Sequence, residues 1–297
     1  MQTMWTEAVD LHSHSTHSDG AHNVNEVADK MAERGVKVWA LTDHDTASGW
    51  PEAWEAARSR RLRFIPGMEI TCRVEHPAST EELARHEQER PSASWHLLAY
   101  FPRHVVGQPD EAVTAFLDWL APHREGREPR MRAMCQRLKD LGMPVDAEAV
   151  IARASGSVGR PHLAATMVEL GYVSNKQEAF EQWIGDGLPA FVPHALPTLS
   201  ETVAQVKAAG GITSLAHPRY YGVPSSVLMD LLKTAGVDAV EAVHRSHSDA
   251  YRHELMELAQ SAGLAVSVGS DFHGDGYGHA PGRMPVNLTA LLSVFHP

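Results

Sequence analysis

The sequence predicts an α/β fold whose strand–helix core is interrupted by a helical insertion. Three observations carry this. Short β-rich runs alternate with amphipathic helical stretches over the first hundred or so residues, as βα units do in a parallel sheet or barrel. From about residue 107 to 197 the strand signals vanish and helical periods follow one another. After residue 199 the alternation returns, so the core is split in sequence around the insertion.

Each element has its own signal. Residues 8–12 read as a strand. Asn23 is placed as an N-cap, and the helix it opens ends at Arg34, where Gly35 can adopt a left-handed turn. Residues 36–41 are the second strand and 42–46 the loop after it. A helix over 50–60 carries Pro51 in its first turn, where no N–H is needed. Two strands, 62–65 and 68–74, are expected on either side of Pro66-Gly67. Residues 75–94 include a charged stretch without an apolar face and read as a solvent-exposed excursion before a strand over 95–100. Helices follow at 111–120, 128–141, 147–154, 161–170 and 177–184. The second half of the core has helix 199–209, strand 212–215, helix 225–234, strand 239–243, helix 250–261 and strand 265–268. The expected division is a split core, 1–103 and 198–297, around an inserted helical, substrate-capping subdomain, 104–197.

Composition limits the function. The chain has 297 residues and 43% hydrophobic content, enough for a full core. With 26 basic and 37 acidic residues its formal charge is −11, which argues against binding long duplex nucleic acid. Two cysteines without C-x-x-C spacing suggest a reducing compartment and no thiolate zinc site. The start has no basic stretch leading into an apolar run, and no apolar run nears the roughly 20 residues that span a bilayer. The expected location is the cytoplasm. The 19 histidines are many for this length.

Some of those histidines recur with acids at strand ends. His12 and His14 lie two apart after the first strand, and Asp271 and His273 two apart after the last. Side chains at i and i+2 on a strand share a face, and imidazole with carboxylate is a divalent-metal ligand set. Asp19-Gly20 follows the first pair, and His44 sits between Asp43 and Asp45 in the loop after the second strand. Loops at the carboxyl ends of parallel strands hold α/β active sites. Asp43 and Asp45 are expected to orient ligand imidazoles through the second ring nitrogen. His217, before Pro218, repeats the strand-end position. On spacing alone Glu69 and His96 are ordinary strand residues. His17, His22, His76, His86, His104, His123, His194, His253, His279 and His296 are assigned to surface or packing roles, and the tryptophans to packing.

The ordered set His12-x-His14, Asp19-Gly20, Thr42-Asp43-His44, Gly67-Met68-Glu69, His96, Ala216-His217-Pro218 and Ser270-Asp271-Phe272-His273 resembles the PHP (polymerase and histidinol phosphatase) superfamily. It is most like the stand-alone phosphoesterases, which include nucleoside 3′,5′-bisphosphate phosphatases and 5′-3′ exoribonucleases. The resemblance implies a distorted β/α barrel of about seven strands. Its metal ligands would be His12, His14, Asp19, His44, Glu69, His96, His217, Asp271 and His273, holding two to three divalent ions. Mn²⁺ is favoured over Zn²⁺, Fe²⁺ or Mg²⁺, and Glu69 and Asp271 are best suited to bridge.

Within the insertion, Gly159-Arg160-Pro161-His162 resembles the phosphate-contacting segment of that branch. Pro161 is placed as the first helical residue, with the Arg160 guanidinium beside the helix N-terminus as an anion site. His162, Arg219 and His244 are further substrate-binding candidates. The implied function is a metal-dependent phosphoesterase acting on small nucleotides, foremost nucleoside 3′,5′-bisphosphates, through metal-activated hydroxide attack. Arg160 would offset phosphoryl charge, Asp271 or a nearby histidine would move the nucleophile's proton, and His217 or a metal-bound water would protonate the leaving oxygen. A 5′-3′ exoribonuclease on short 5′-phosphorylated RNA is the alternative within this chemistry. Outside it stand a non-catalytic metal-binding module and C–N bond hydrolysis on a related barrel. The sequence sets no oligomeric state.

Overall fold

In the computed structural model the described residues are 5–74, 94–154, 156–277 and 280–297. The excursion expected at 75–94 therefore lies, but for its last residue, outside them. In chain order the elements are β1 (Trp5–Thr6), β2 (Val9–Asp10), α1 (Val24–Glu33), β3 (Val38–Leu41), α2 (Trp50–Ser59), β4 (Arg63–Arg73) and β5 (Ser94–Tyr100). Then come α3 (Glu111–Glu125), α4 (Arg127–Asp140), α5 (Ala147–Ala152), α6 (Arg160–Glu169) and α7 (Lys176–Ala179). The second half of the core has α8 (Leu199–Ala208), β6 (Ile212–Leu215), α9 (Ser225–Ala235), β7 (Ala239–His244), α10 (Asp249–Ala262), β8 (Ala265–Gly269) and β9 (Val286–Asn287). The cap on α1 forms as predicted: Asn23 accepts from the Glu26 amide at 3.0 Å and Glu26 accepts from the Asn23 amide at 2.9 Å.

Seven strands make one sheet in the order β2-β3-β4-β5-β6-β7-β8. Its ends approach each other. The Leu11 amide donates to the Val268 carbonyl and the Asp271 amide to the His12 carbonyl, each at 2.9 Å, so the sheet is a nearly closed barrel. The core inside it is satisfied as well as dense. Buried Trp39 donates to Ser13 Oγ at 2.9 Å, Tyr100 to the Leu11 carbonyl at 3.0 Å, and Trp50 to the Gly67 carbonyl at 2.7 Å.

Two strand expectations change. The two strands expected over 62–65 and 68–74 are one strand, β4 (Arg63–Arg73), because Pro66 stands where the strand exchanges partners. Up to Pro66 it pairs parallel with β3, and from Gly67 it pairs antiparallel with β5. The proline carbonyl accepts from the Phe101 amide at 2.8 Å, so the missing N–H interrupts no ladder. The sheet is also not all parallel, since β5 runs against both β4 and β6. Its first residues therefore lie at the end of the barrel where its neighbours finish.

The insertion divides between two cores. Val113, Phe116 and Leu120 of α3 belong to the barrel core, whereas Met131, Met134, Leu138, Val150, Leu163, Met167 and Ile184 build a second one. The helix expected over 177–184 is α7 followed by a π-helical turn, Phe180–Ile184. The second unit is tied to the barrel mouth by the Ser157 amide on the His17 carbonyl at 2.9 Å and by Arg127 on Asp45. No helix among the described residues is long and apolar enough to cross a membrane.

Gly269, the last residue of β8, marks the tightest approach of sheet to site. A methyl group there would fall well inside van der Waals contact of His12 Cβ and Glu241 Oε1. Gly269→Ala should destabilise the fold by about 1–3 kcal/mol, the usual scale of overpacking. Urea unfolding checks this, and an unchanged midpoint would show that the barrel end relaxes without strain.

Candidate active site

Every predicted metal ligand sits at one end of the barrel. His12 and His14 follow β2, His44 follows β3, Glu69 is within β4, His217 follows β6, and Asp271 and His273 follow β8. His96 is the third residue of β5, and only the reversal of that strand brings it to the same rim. A Cβ on Gly20 would collide with the His14 backbone, which accounts for the glycine after Asp19. His217, Asp271 and Asp45 hold positive φ values of 26°, 53° and 52°, so backbone strain gathers at the rim.

Glu69 is the hub. Its Oε2 lies 3.3 Å from His12 Nε2, 3.1 Å from His14 Nε2 and 3.2 Å from His44 Nδ1. Its Oε1 lies 2.8 Å from His96 Nδ1 and 3.0 Å from His217 Nε2. Asp271 Oδ1 is 3.3 Å from each of His12 Nε2, His14 Nε2 and His273 Nδ1. Asp19 reaches His273 Nε2 at 3.2 Å and His44 Nε2 at 3.6 Å. Three overlapping groups result: His14, Asp19, His44 and His273; His12, His14, Glu69 and Asp271; His44, Glu69 and His96. His217 joins through Glu69. Asp19 Oδ1, Asp271 Oδ1 and His44 Nδ1 are buried with no hydrogen-bond partner among the described residues. Buried polar atoms left without partners are costly. Imidazole nitrogens and carboxylate oxygens aimed at common points fit divalent metal ions.

The electrostatics of the cluster follow from burial opposed by close charge. Burial pushes Glu69, Asp19 and Asp271 up, but the surrounding imidazoles outweigh it and hold all three well below the usual carboxylate range. Burial pushes His14 down, yet the Asp271 and Glu69 carboxylates beside it, at 3.3 and 3.1 Å, raise it to about 10. His44 goes the other way: burial prevails and lowers it to about 3. Without metal, imidazolium and carboxylate balance each other in this cluster.

The expectation for Asp43 and Asp45 is corrected. Asp43 accepts from the Ser15 amide at 2.8 Å and from the Ser15 and Ser18 hydroxyls at 2.7 and 2.6 Å, fixing the loop that carries Asp19. Asp45 holds the Thr71 amide at 3.1 Å and pairs with Arg127. Each carboxylate turns back onto its own loop or neighbour, so neither orients an imidazole.

Glu241, which the sequence reading missed, has that role. Fully buried in β7, it lies 3.0 Å from His12 Nδ1 and accepts from the His217 amide at 2.7 Å. Its signal was a lone acid in an apolar strand, Ala-Val-Glu-Ala-Val-His. A bulge between Glu241 and Val243 inserts one residue, which turns Glu241 and His244 toward the same face. His244 Nδ1 lies 3.2 Å from the Ser246 amide and 2.8 Å from Ser246 Oγ, and its Nε2 stands 3.6 Å from Asp271 Oδ2.

The predicted substrate residues separate. Helix α6 starts at Arg160 with Gly159 as N-cap, so Pro161 is its second residue and not its first. Arg160 lines a cavity of about 340 Å³ together with Asp19, His44 and His96. It pairs with Asp186 at 2.6 Å and lies 5.6 and 5.7 Å from the ring centres of Phe180 and Phe191. His162, Arg219 and His244 do not line this cavity. His162 accepts the Gly159 amide at 3.0 Å in the helix cap, Arg219 is exposed and donates to the Ser246 carbonyl, and His244 is fully buried beside Asp271.

Two outcomes are expected. Glutamine at position 241 offers one acceptor oxygen where His12 and His217 together need two. Glu241→Gln should weaken metal affinity by about 10- to 100-fold, as loss of a partner behind a ligand imidazole does, read by competition with a chelator. Undiminished affinity would remove Glu241 from the site. For His14 the folded value lies above the ordinary 6.5, so its contribution to the metal-free protein is complete below pH 6.5 and lost as pH rises through about 10. Metal needs the neutral ring. The melting temperature of the metal-free protein should fall toward pH 10 while apparent metal affinity rises, with protons released on binding. Calorimetry in two buffers of different ionisation enthalpy measures that release, and none at pH 8 would contradict it.

A model of the PHP domain matches residues 10–126. A 5′-3′ exoribonuclease of Haemophilus influenzae is 32% identical over 272 residues, 90% of this chain and 90% of that protein. A 3′,5′-nucleoside bisphosphate phosphatase of Chromobacterium violaceum is 32% identical over 276 residues, 91% of this chain and 88% of that one. Among solved structures, a Chromobacterium violaceum protein described as an amidohydrolase with bound sulfate and no metal superposes with a TM-score of 0.78 at 28% identity, over 98% of this chain and 94% of that one. A Bifidobacterium adolescentis protein provisionally described as a metal-dependent phosphoesterase gives 0.76 at 27% identity, over 95% and 93%. With a seven-strand barrel, a buried His/Asp/Glu cluster and such identity along nine-tenths of its length, the chain belongs to the PHP-domain family and is a metal-dependent phosphoesterase.

Proposed function

We propose that this phosphoesterase removes phosphate from small nucleotides, foremost nucleoside 3′,5′-bisphosphates. The cavity carries the reading. It runs from cluster residues Asp19, His44 and His96 to Arg160, and it is walled by Phe180 and Phe191. Its 340 Å³ lies at the lower end of the roughly 300–1,000 Å³ usual for small-molecule sites, which favours a single nucleotide over a chain. The bisphosphate phosphatase among the relatives supports the same substrate class.

In this reading the nine predicted residues hold two to three divalent ions, with Mn²⁺ the expected metal. When bound, such ions polarise a phosphoryl oxygen and make a nucleophile of water near neutral pH. The chain's own groups position and balance charge. Glu69 and Asp271 face several imidazoles at once and would be the carboxylates shared between ions. Glu241 fixes the orientation of His12, and His244 lies beside the outer oxygen of Asp271. His217 turns Nε2 toward Glu69 at 3.0 Å, so we assign it to metal holding and not to protonating the leaving oxygen. Arg160 supplies positive charge across the cavity. Buried, unbridged Cys72 and Cys135 accord with a cytoplasmic location.

The test is turnover with Mn²⁺ of adenosine 3′,5′-bisphosphate, AMP, a short 5′-phosphorylated RNA and histidinol phosphate. The bisphosphate should have the highest kcat/KM and histidinol phosphate the lowest. Preference for the RNA would make the protein an exoribonuclease, and histidinol phosphate matching the nucleotides would overturn the assignment. His12→Ala and Asp271→Ala should each lower kcat by about a thousandfold or more. Elemental analysis should find two to three ions per chain, and one or fewer would count against the site.

A further inference from the structure

Three arginines of the insertion, Arg127, Arg130 and Arg160, line the wall of the cavity. They are not equivalent. Arg127 is fully engaged: Nε and one terminal nitrogen bind Asp45, with further bonds to Thr71 Oγ1 at 3.1 Å and the Val158 carbonyl at 3.3 Å. Arg160 is paired with Asp186 and also donates to the Ile184 carbonyl at 3.3 Å. Arg130 uses only Nε, on the Val192 carbonyl at 2.7 Å. Among the described residues its terminal nitrogens have no hydrogen-bond partner, and no carboxylate lies within ion-pair reach of it.

The balance of charge is therefore uneven. Asp45 and Asp186 form direct ion pairs with Arg127 and Arg160, whereas Arg130 has none among the described residues and feels Asp186 only from farther off. Arg130 is half-buried, and burial with the like charges of Arg160 and Arg127 outweighs the attraction of Asp186 and lowers it to about 10, so it remains a cation at neutral pH. A partly desolvated cation beside two others is unfavourable unless an anion joins it. Arg130 and Arg160 also stack on the same Phe191 ring, 5.5 and 5.7 Å from its centre. That ring restrains both guanidinium planes before any ligand arrives.

We infer that Arg130 is the principal contact for the substrate's second, non-reacting phosphate, with Arg160 flanking it across Phe191. The assignment rests on the nucleotide reading above for the identity of the substrate, and on the charge balance alone for the anion. It also redistributes roles within the cavity. Arg160, the residue the sequence motif points to, already has a carboxylate. Arg130, one helical turn beyond Arg127 on α4, is the guanidinium of these three without a direct ion pair.

Two experiments test it. In steady-state kinetics with Mn²⁺, Arg130→Met should raise KM for adenosine 3′,5′-bisphosphate by about 10- to 100-fold, the scale of a lost charge-assisted hydrogen bond, with kcat within about threefold. Adenosine 3′-monophosphate lacks the second phosphate and should be turned over as by the wild type. Arg130→Lys should recover part of the loss, since it keeps charge without the planar fork, and it decides the matter should the methionine variant not fold. Equal loss on both substrates would place Arg130 at the reacting phosphate or in a merely structural role, and no loss would remove it from the site. Crystals of the metal-loaded enzyme soaked in inorganic phosphate give a readout independent of turnover. An anion on the terminal nitrogens of Arg130 is expected in the wild type and none in Arg130→Met. Phosphate at the His/Asp/Glu cluster alone would overturn the assignment. If the wild type hydrolyses no bisphosphate, the nucleotide reading fails and the soak alone decides Arg130.

Discussion

One buried carboxylate organises this molecule. Glu69 is 1% exposed and faces five histidines, from the segments after β2, β3 and β6 and from β5. A charge so far from water is tolerated only when matched on every side. Each of those elements must therefore end at the same depth of the barrel, and the closing bonds between the β2 and β8 segments set that depth. The left-handed backbone at His217 and Asp271 is a consequence. The chain accepts local strain to deliver side chains to one point, and the packed core beneath holds them there.

The support behind the ligands is as structured as the ligands. Glu241 bridges a ring nitrogen of His12 and the backbone of His217, two residues that also both face Glu69. His244 comes to Asp271 because a single bulged residue in β7 restores it to the inward face. Gly269 leaves the space that Glu241 and His12 occupy. Asp43 holds the loop of Asp19 from below. Such partners keep rings and carboxylates from pairing off in other geometries.

The insertion contributes the opposite charge. The barrel rim offers carboxylates and imidazoles, while α4 and α6 bring arginines to the far wall of one cavity. A phosphate ester with a second phosphate is anionic at both ends, and the cavity is cationic at one end and suited to metal ions at the other. Docking through Ser157 on the His17 carbonyl and Arg127 on Asp45 makes the alignment of these two ends depend on the insertion's seat.

Much of this was legible in the sequence, for a physical reason in each case. Strand–helix alternation reports burial on two faces of a sheet, so the α/β core and its interruption could be read directly. His12, His14, Asp271 and His273 could be read because the two-residue period places both members of each pair on one face. Glu69 and His96 could not be read that way, because what singles them out is contact with residues far away in the chain. The reversal of β5, the partner exchange at Pro66 and the bulge beside Glu241 are pairing decisions between distant strands, invisible to local periodicity. The same holds for charge: Arg160 and Arg130 are both arginines on helices in the sequence. Only tertiary structure decided that Asp186 lies against Arg160 while Arg130 has no ion-paired carboxylate among the described residues, since a charge is offset by its neighbours in space and not by those in sequence.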